Sequence, residues 1–265
     1  MTTVYLAASG DENDLSLQNL GQRPAVLVSY PQLSKWESTK TSGAFPHRSW
    51  ALDSGAFMAW SRGAVISLEN YIRDCARLQK TSSPPEKIFS LDVIGGPQAG
   101  VSLEAAAKQS LHNCEAMCRS GISAIPTFHF GEPEEFLRHI LARYDSIALG
   151  GLFRVHKTRR TAWLHRCFEL AWPRKIHGFA LTSKPLLDRF PFHSVDSSNW
   201  RRGPHAWGLW CSFNFEVLRV PDKKISLRGE AEFYLRMERQ LKDRWRKEMF
   251  MLEKIARKHE LEAAP

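Results

Sequence analysis

The sequence is poor in cysteine, and the few it has do not cluster. Its five are Cys75, Cys114, Cys118, Cys167 and Cys211, with no C-x-x-C pair among them. An odd count without paired spacing argues against a disulfide framework and against a closed zinc site, so free thiols and no bound metal are expected. Long apolar runs are missing too, since none approaches the roughly 20 residues that a membrane-spanning helix needs. Met1 to Ser9 lacks the basic start and apolar stretch of a signal peptide. The expected setting is therefore a cytoplasm, with no membrane partner. A phosphate-binding loop is also absent. Gly95-Gly96-Pro97 follows an apolar run but lacks the Lys-Ser/Thr that such a loop requires. No cofactor is expected.

What is present suits an enzyme-sized globular chain. Its 265 residues, 43% hydrophobic and 25% charged, fit one β/α barrel or two small domains. The charge is unevenly spread. Residues 1–150 carry 13 Lys/Arg and 15 Asp/Glu, whereas residues 151–265 carry 24 and 13. All of the net +9 thus comes from the second part. A focused positive field suits a polyanion, although a plain solvated basic surface has the same composition.

Short apolar runs bounded by turn residues recur at Val4–Ala8, Ala25–Ser29, Ser49–Leu52, Ile88–Leu91, Ser123–Phe128, Ser146–Leu149, Lys175–Phe179 and Phe192–Val195. Helical spacing falls between several of them, as in Leu68, Tyr71, Ile72, Cys75 and Leu78, or Leu103, Ala107, Leu111, Cys114 and Cys118. Ser67, Ser102 and Glu132-Pro133 mark helix starts. Eight strands alternating with helices predict a parallel sheet closed as a (β/α)8 TIM barrel, a single domain over 1–265 with strands from about 4 to 196. An open doubly wound sheet is the other arrangement. Pro31 to Arg48 reads as a loop over the mouth. From Glu230 to Glu260 there is no Gly or Pro, and Phe233, Met237, Leu241, Trp245, Met249 and Leu252 recur at helical spacing. This predicts a long C-terminal helix closing the barrel, with a basic arm reaching nucleic acid as the second reading.

In such a barrel the chemistry lies at the carboxyl ends of the strands. The residues there are Asp53, Ser54 and Phe57 after the third strand, Asp92 after the fourth, His129 after the fifth and Gly150-Gly151 after the sixth. His177 lies on the seventh strand and Asp196 after the eighth. A lone aspartate at a strand end is often only a turn residue, and a histidine in an apolar run is often a core residue. Three aspartates flanked by small residues at three strand ends are harder to assign to turns. Arg154, Lys157, Arg159 and Arg160 follow the sixth strand, and Trp200, Arg201 and Arg202 follow the eighth. Both clusters are expected to rim the mouth and to hold phosphates or stack on a displaced base.

Asp53-Ser54-Gly55-Ala56-Phe57, Asp92, His129 before Gly131, Gly150-Gly151-Leu152 and Asp196 occur in an order that resembles the tRNA-guanine transglycosylase superfamily. The wording "LDVIG", "FHFGE", "ALGGL" and "FPFHSVDSSNW" is closest to its deazapurine DNA-modification branch, the DpdA-like transglycosylases of phages and genomic islands. The resemblance implies exchange of guanine for a 7-deazaguanine, such as 7-cyano-7-deazaguanine, by double displacement. On this reading Asp196 is the nucleophile that forms a covalent sugar intermediate, and Asp53 is the general acid/base. Asp92 and His129 would read the purine, and Gly150 and Gly151 would let backbone amides approach it. The superfamily's tRNA enzymes carry a C-x-C-x-x-C plus His zinc site, whereas here Cys211 is the only cysteine beyond Cys167. This difference and the short chain favour DNA over tRNA as partner. A tRNA-guanine transglycosylase-like enzyme, a queuosine-type base hydrolase and a non-catalytic nucleic-acid-binding barrel are the other readings. The resemblance also implies a bacterial or phage-infected host cytoplasm and allows a homodimer.

Overall fold

The computed structural model describes residues 2–8, 20–41, 47–201, 209–211, 217–219 and 223–262. Nine short parallel strands form one sheet: β1 (Thr3–Ala8), β2 (Ala25–Ser29), β3 (Ser49–Asp53), β4 (Lys87–Phe89), β5 (Ala124–Ile125), β6 (Thr127–His129), β7 (Ser146–Gly150), β8 (Lys175–Gly178) and β9 (Ser194–Ser197). Their order is β5-β4-β3-β2-β1-β9-β8-β7-β6. The two ends of this order, β5 and β6, are consecutive in the chain and separated only by Pro126. Proline has no N–H for a ladder, which accounts for the break. The Pro126 carbonyl still accepts from Ala148 N–H at 2.8 Å. The two pieces therefore make one stave, and the sheet closes as an eight-staved TIM barrel.

Alternation along the strands sorts side chains between two cores. Tyr5, Ala25, Leu27, Ala51, Phe89 and Ala148 fill the barrel interior, with Ile125 and Phe179 beside them. Val4, Leu6, Val26, Val28, Leu52 and Leu149 face outward into the larger layer under the helices. Those helices are α1 (Leu33–Thr41), α2 (Ala56–Ser61), α3 (Leu68–Leu78), α4 (Leu103–Arg119), α5 (Glu134–Leu141), α6 (Lys157–Ala171), α7 (Lys184–Leu187) and α8 (Lys223–Glu262). The Ser67 and Ser102 hydroxyls accept from Asn70 N–H and Ala105 N–H, so the expected N-caps of α3 and α4 are formed. No described helix is long and apolar enough to cross a membrane.

Several boundaries depart from the sequence reading. Pro31 to Arg48 is not wholly loop, because α1 lies within it. Leu33 and Trp36 are buried there, but two anchors among polar residues give too weak a period to read. The last stave begins at Ser194, two residues later than expected. Phe192 packs outside the barrel against Phe168, at 4.8 Å between ring centroids. A short hairpin, β10 (Leu209–Cys211) with β11 (Val217–Arg219), precedes α8 and was not legible in the pattern.

The N-terminal ends of the strands form a floor of paired charges. Glu238 on α8 is 1% exposed and accepts from Val4 N–H at 3.0 Å. It also pairs with Arg48 at 2.6 Å and with Lys242. Helix α8 is thereby fastened to β1 and to the start of β3. Inside the floor, Lys87 Nζ donates to the Tyr5 hydroxyl at 2.7 Å and to Glu86 at 2.8 Å.

Candidate active site at the carboxyl ends of the strands

Parallel strands point the same way, so residues ending different strands meet on one mouth. Asp53 closes β3, Asp92 lies three residues beyond β4, His129 closes β6 and Asp196 sits within β9. These four converge, as their places at strand ends implied. Asp53 accepts from the Ser29 hydroxyl at 2.9 Å, a neighbour fixed by the β2–β3 register Ser29↔Asp53. Burial and then the charges of Asp92 and Asp196 push its carboxyl up to about 7. Its proton is thus held close to neutral pH.

Asp92 is engaged through both oxygens. Oδ1 accepts from the Ser54 hydroxyl at 2.7 Å, and Oδ2 lies 2.9 Å from His129 Nε2. The other ring nitrogen, Nδ1, lies 3.0 Å from Glu132 Oε1, while Glu132 Oε2 accepts from the His129 backbone N–H at 2.8 Å. Burial would lower the imidazole's pKa, but the two carboxylate hydrogen bonds outweigh it and carry it up to about 10. For Asp92, burial would raise the carboxyl, and the His129 hydrogen bond and charge outweigh it in the opposite direction. The result is an imidazolium between two carboxylates. His129 therefore has no ring nitrogen left for a base edge, and its place is to hold Asp92. Ser54, fully buried, likewise orients Asp92 rather than meeting a substrate. Glu132, read in the sequence only as a helix start, belongs to this network. Its position three residues after His129, just before Pro133, was the available signal.

The glycines serve the same packing. A Cβ on Gly150 would stand 3.0 Å from His129 Cδ2, and one on Gly151, at φ +75°, would stand 3.0 Å from Phe130 N. The space expected for an approaching base is thus filled by His129 and Phe130. Gly55, at φ +74°, would drive a Cβ to 2.3 Å from Pro31 Cδ. Only glycine allows the turn that follows Asp53.

Asp196 is 7% exposed. Its Oδ1 accepts from Ala180 N–H at 2.8 Å and stands 3.5 Å from His177 Nε2. Oδ2 has no hydrogen-bond partner among the described residues. Ala180 has φ 50°, left-handed backbone that costs a non-glycine residue about 1–2 kcal/mol. Strain of this kind concentrates at functional sites. His177 was expected to touch substrate. It is instead 2% exposed, enclosed by Phe89 and Phe179 at ring-centroid distances of 4.5 and 4.7 Å.

The rim is aromatic and basic. Phe57 and Phe153 are 52% and 67% exposed, follow β3 and β7, and meet at 6.4 Å between centroids. The Arg154 guanidinium lies over Phe153 at 5.1 Å, and that of Arg159 over Phe130 at 5.5 Å. Lys157 begins α6 and is exposed. Arg160 is half-buried, and its Nε has no hydrogen-bond partner among the described residues. Trp200 is a core residue, not a rim aromatic: it is fully buried and its indole N–H donates to the Ala7 carbonyl at 3.1 Å. Arg201 lies over its ring at 5.8 Å, and Arg202 falls outside the described residues. An open groove between α7 and α8, lined by Trp172, Asp188, Arg244 and Trp245, lies apart from the mouth. Its Asp188 is paired with Lys184 and Arg244, so chemistry assigns the site to the mouth. Among the described residues no group of three or more His, Cys, Asp or Glu is arranged to hold a metal ion.

No protein-family model matches the chain, and no curated protein matches it. Among solved structures it is similar to mutant tryptophan synthase alpha-subunits from the hyperthermophile Pyrococcus furiosus. One is 14% identical with a TM-score of 0.46, over 88% of this chain and 97% of that one. Another is 14% identical with a TM-score of 0.48 over the same shares.

Proposed function

We propose that this barrel is a glycosyltransferase that exchanges a guanine in DNA for a 7-deazaguanine base. The observation that carries the reading is the difference between two carboxyls at one mouth. Asp53 retains its proton to about pH 7, and Asp196 is held through one oxygen while the other has no hydrogen-bond partner among the described residues. Pairs of carboxyls with divergent environments supply an acid and a nucleophile in glycosyl transfer.

In the first half-reaction Asp196 Oδ2 attacks C1′ of the target nucleotide. The C1′–N9 bond breaks, its electron pair leaves with guanine, and Asp53 gives its proton to the departing base. A sugar–Asp196 ester remains. In the second, N9 of the incoming 7-deazaguanine attacks C1′, its proton passes to the Asp53 carboxylate, and the ester C–O bond breaks. The target nucleotide must leave its stack to reach the mouth. Arg154, Lys157 and Arg159 supply phosphate contacts, and Phe57 and Phe153 offer exposed ring faces. The ordered resemblance to transglycosylases supports the same reading.

The test is release of labelled guanine from duplex DNA, single-stranded DNA and tRNA, with and without 7-cyano-7-deazaguanine, plus denaturing electrophoresis for a covalent protein–nucleic acid adduct. Exchange into DNA with an adduct at Asp196 is expected. Release without exchange would make the protein a hydrolase, preference for tRNA would change the substrate, and binding without release would remove the enzymatic reading.

A further inference from the structure

We infer that His177 is a positioning residue for Asp196, held in one tautomer by the Asp196 carboxylate, with the Ser194 hydroxyl satisfying Nδ1, so that its Nε2–H faces Asp196 Oδ1. The inference rests on the reading of Asp196 as nucleophile. It begins with strand register. His177 on β8 is paired with Ser194 on β9, and Ser194 lies two residues before Asp196. Residues i and i+2 of a strand share a face, so Ser194 and Asp196 present their side chains together. The His177 ring is set between them, with Nδ1 2.9 Å from Ser194 Oγ and Nε2 3.5 Å from Asp196 Oδ1.

A neutral imidazole carries one N–H and one bare lone pair. Were the proton on Nδ1, the lone pair of Nε2 would face a carboxylate oxygen inside an apolar cage, two acceptors opposed in low dielectric. With the proton on Nε2, the ring donates toward Asp196 and Nδ1 accepts the Ser194 hydroxyl. Burial lowers the pKa of His177, so the neutral ring is the relevant form. Nε2 is buried and, at its present separation from Asp196, has no hydrogen-bond partner among the described residues. A contraction of about half an ångström would complete the bond, as is common when a catalytic site closes on substrate. Together with the Ala180 amide, it would fix Oδ1 and leave Oδ2 as the attacking oxygen. None of this requires His177 to touch a substrate.

The test uses nitrogen-15 NMR of the histidine ring in the full-length protein, without substrate. Wild type should show His177 protonated on Nε2 alone. Asp196→Ala should admit the Nδ1-protonated form and move the remaining Nε2–H proton signal upfield, whereas Ser194→Ala should leave the proton on Nε2. In the exchange assay, His177→Phe should slow adduct formation about 10- to 100-fold, the size of one hydrogen bond to a charged group. KM for DNA should stay within about twofold, and His177→Gln should recover part of the loss through its amide N–H. A wild-type ring protonated on Nδ1, or an Nε2–H signal indifferent to Asp196→Ala, would overturn the inference even if His177→Phe fails to fold. Should Asp196→Ala still exchange bases, the reading of the site fails separately, and the ring spectra identify which idea was wrong.

Discussion

The two ends of this barrel treat charge in opposite ways. At the floor, Glu238 is met by Arg48 and Lys242, and Glu86 by Lys87. At the mouth, Asp53, Asp92 and Asp196 have no Lys or Arg partner among the described residues. Only His129 answers them with a charge, and it is shared between Asp92 and Glu132. A buried carboxylate without a cation is costly, and the cost is expressed at Asp53 as a retained proton. The floor thus supports stability, while the mouth carries strain at Ala180 and electrostatic repulsion among its aspartates. The proposed chemistry depends on that division, since the active groups of a β/α barrel lie at the carboxyl ends of its strands.

The largest expected effect is at Asp196. Replacement by Asn should abolish guanine release, exchange and adduct formation, because an amide is a poor nucleophile, while circular dichroism stays unchanged. Near-normal exchange would dissolve the functional half of the contrast.

Asp53→Asn should lower the chemical rate about 100- to 10,000-fold, the contribution of a positioned proton donor, with little loss of DNA affinity. In wild type, the rate of guanine release should fall as pH rises through about 7, where Asp53 loses its proton. Stability should move with it. The folded carboxyl is raised from 3.8 to about 7, so the native state binds the proton more tightly than the unfolded chain. The resulting stabilisation is complete below about pH 4 and is lost as pH rises through 7. Asp53→Asn should therefore gain on wild type by about 1–3 kcal/mol in urea unfolding between pH 4 and pH 8. An equal difference at both pH values would mean that folding does not raise the Asp53 carboxyl.

At the floor the effects should reverse. Glu238→Ala leaves two cations and the Val4 amide without their acceptor. Arg48 and Lys242 are 26% and 28% exposed, so solvent tempers the loss. A destabilisation of about 1–3 kcal/mol is expected, with per-molecule exchange activity retained below the melting transition. Loss of chemistry without loss of stability would break the division between the two ends.

The smallest effect belongs to the rim. Replacing Arg154, Lys157 and Arg159 by Ala should weaken DNA binding with little dependence on sequence. For every phosphate no longer neutralised, the plot of log affinity against log salt should flatten by about 0.9 for duplex DNA, or about 0.7 for single strands. An unchanged slope would move the nucleic-acid path away from α6.

The alternation of apolar runs with 3.6-period segments determined the barrel, because burying both faces of a parallel sheet demands that pattern. The helix starts at Ser67 and Ser102 were equally legible, since capping is local. Strand ends located Asp53, Asp92, His129 and Asp196 on one mouth without any coordinates. Only the tertiary structure decided which groups face which. Trp200 and His177 looked like rim and pocket residues by position, yet both are buried, because side-chain direction depends on the twist and register of neighbouring staves. The pairing of Ser29 with Asp53 and of Ser194 with His177 joins residues whose contacts no sequence period encodes. The raised carboxyl of Asp53 arises in the same way. Desolvation and repulsion are sums over everything nearby in space, and the chain order of Asp53, Asp92 and Asp196 contains none of those distances.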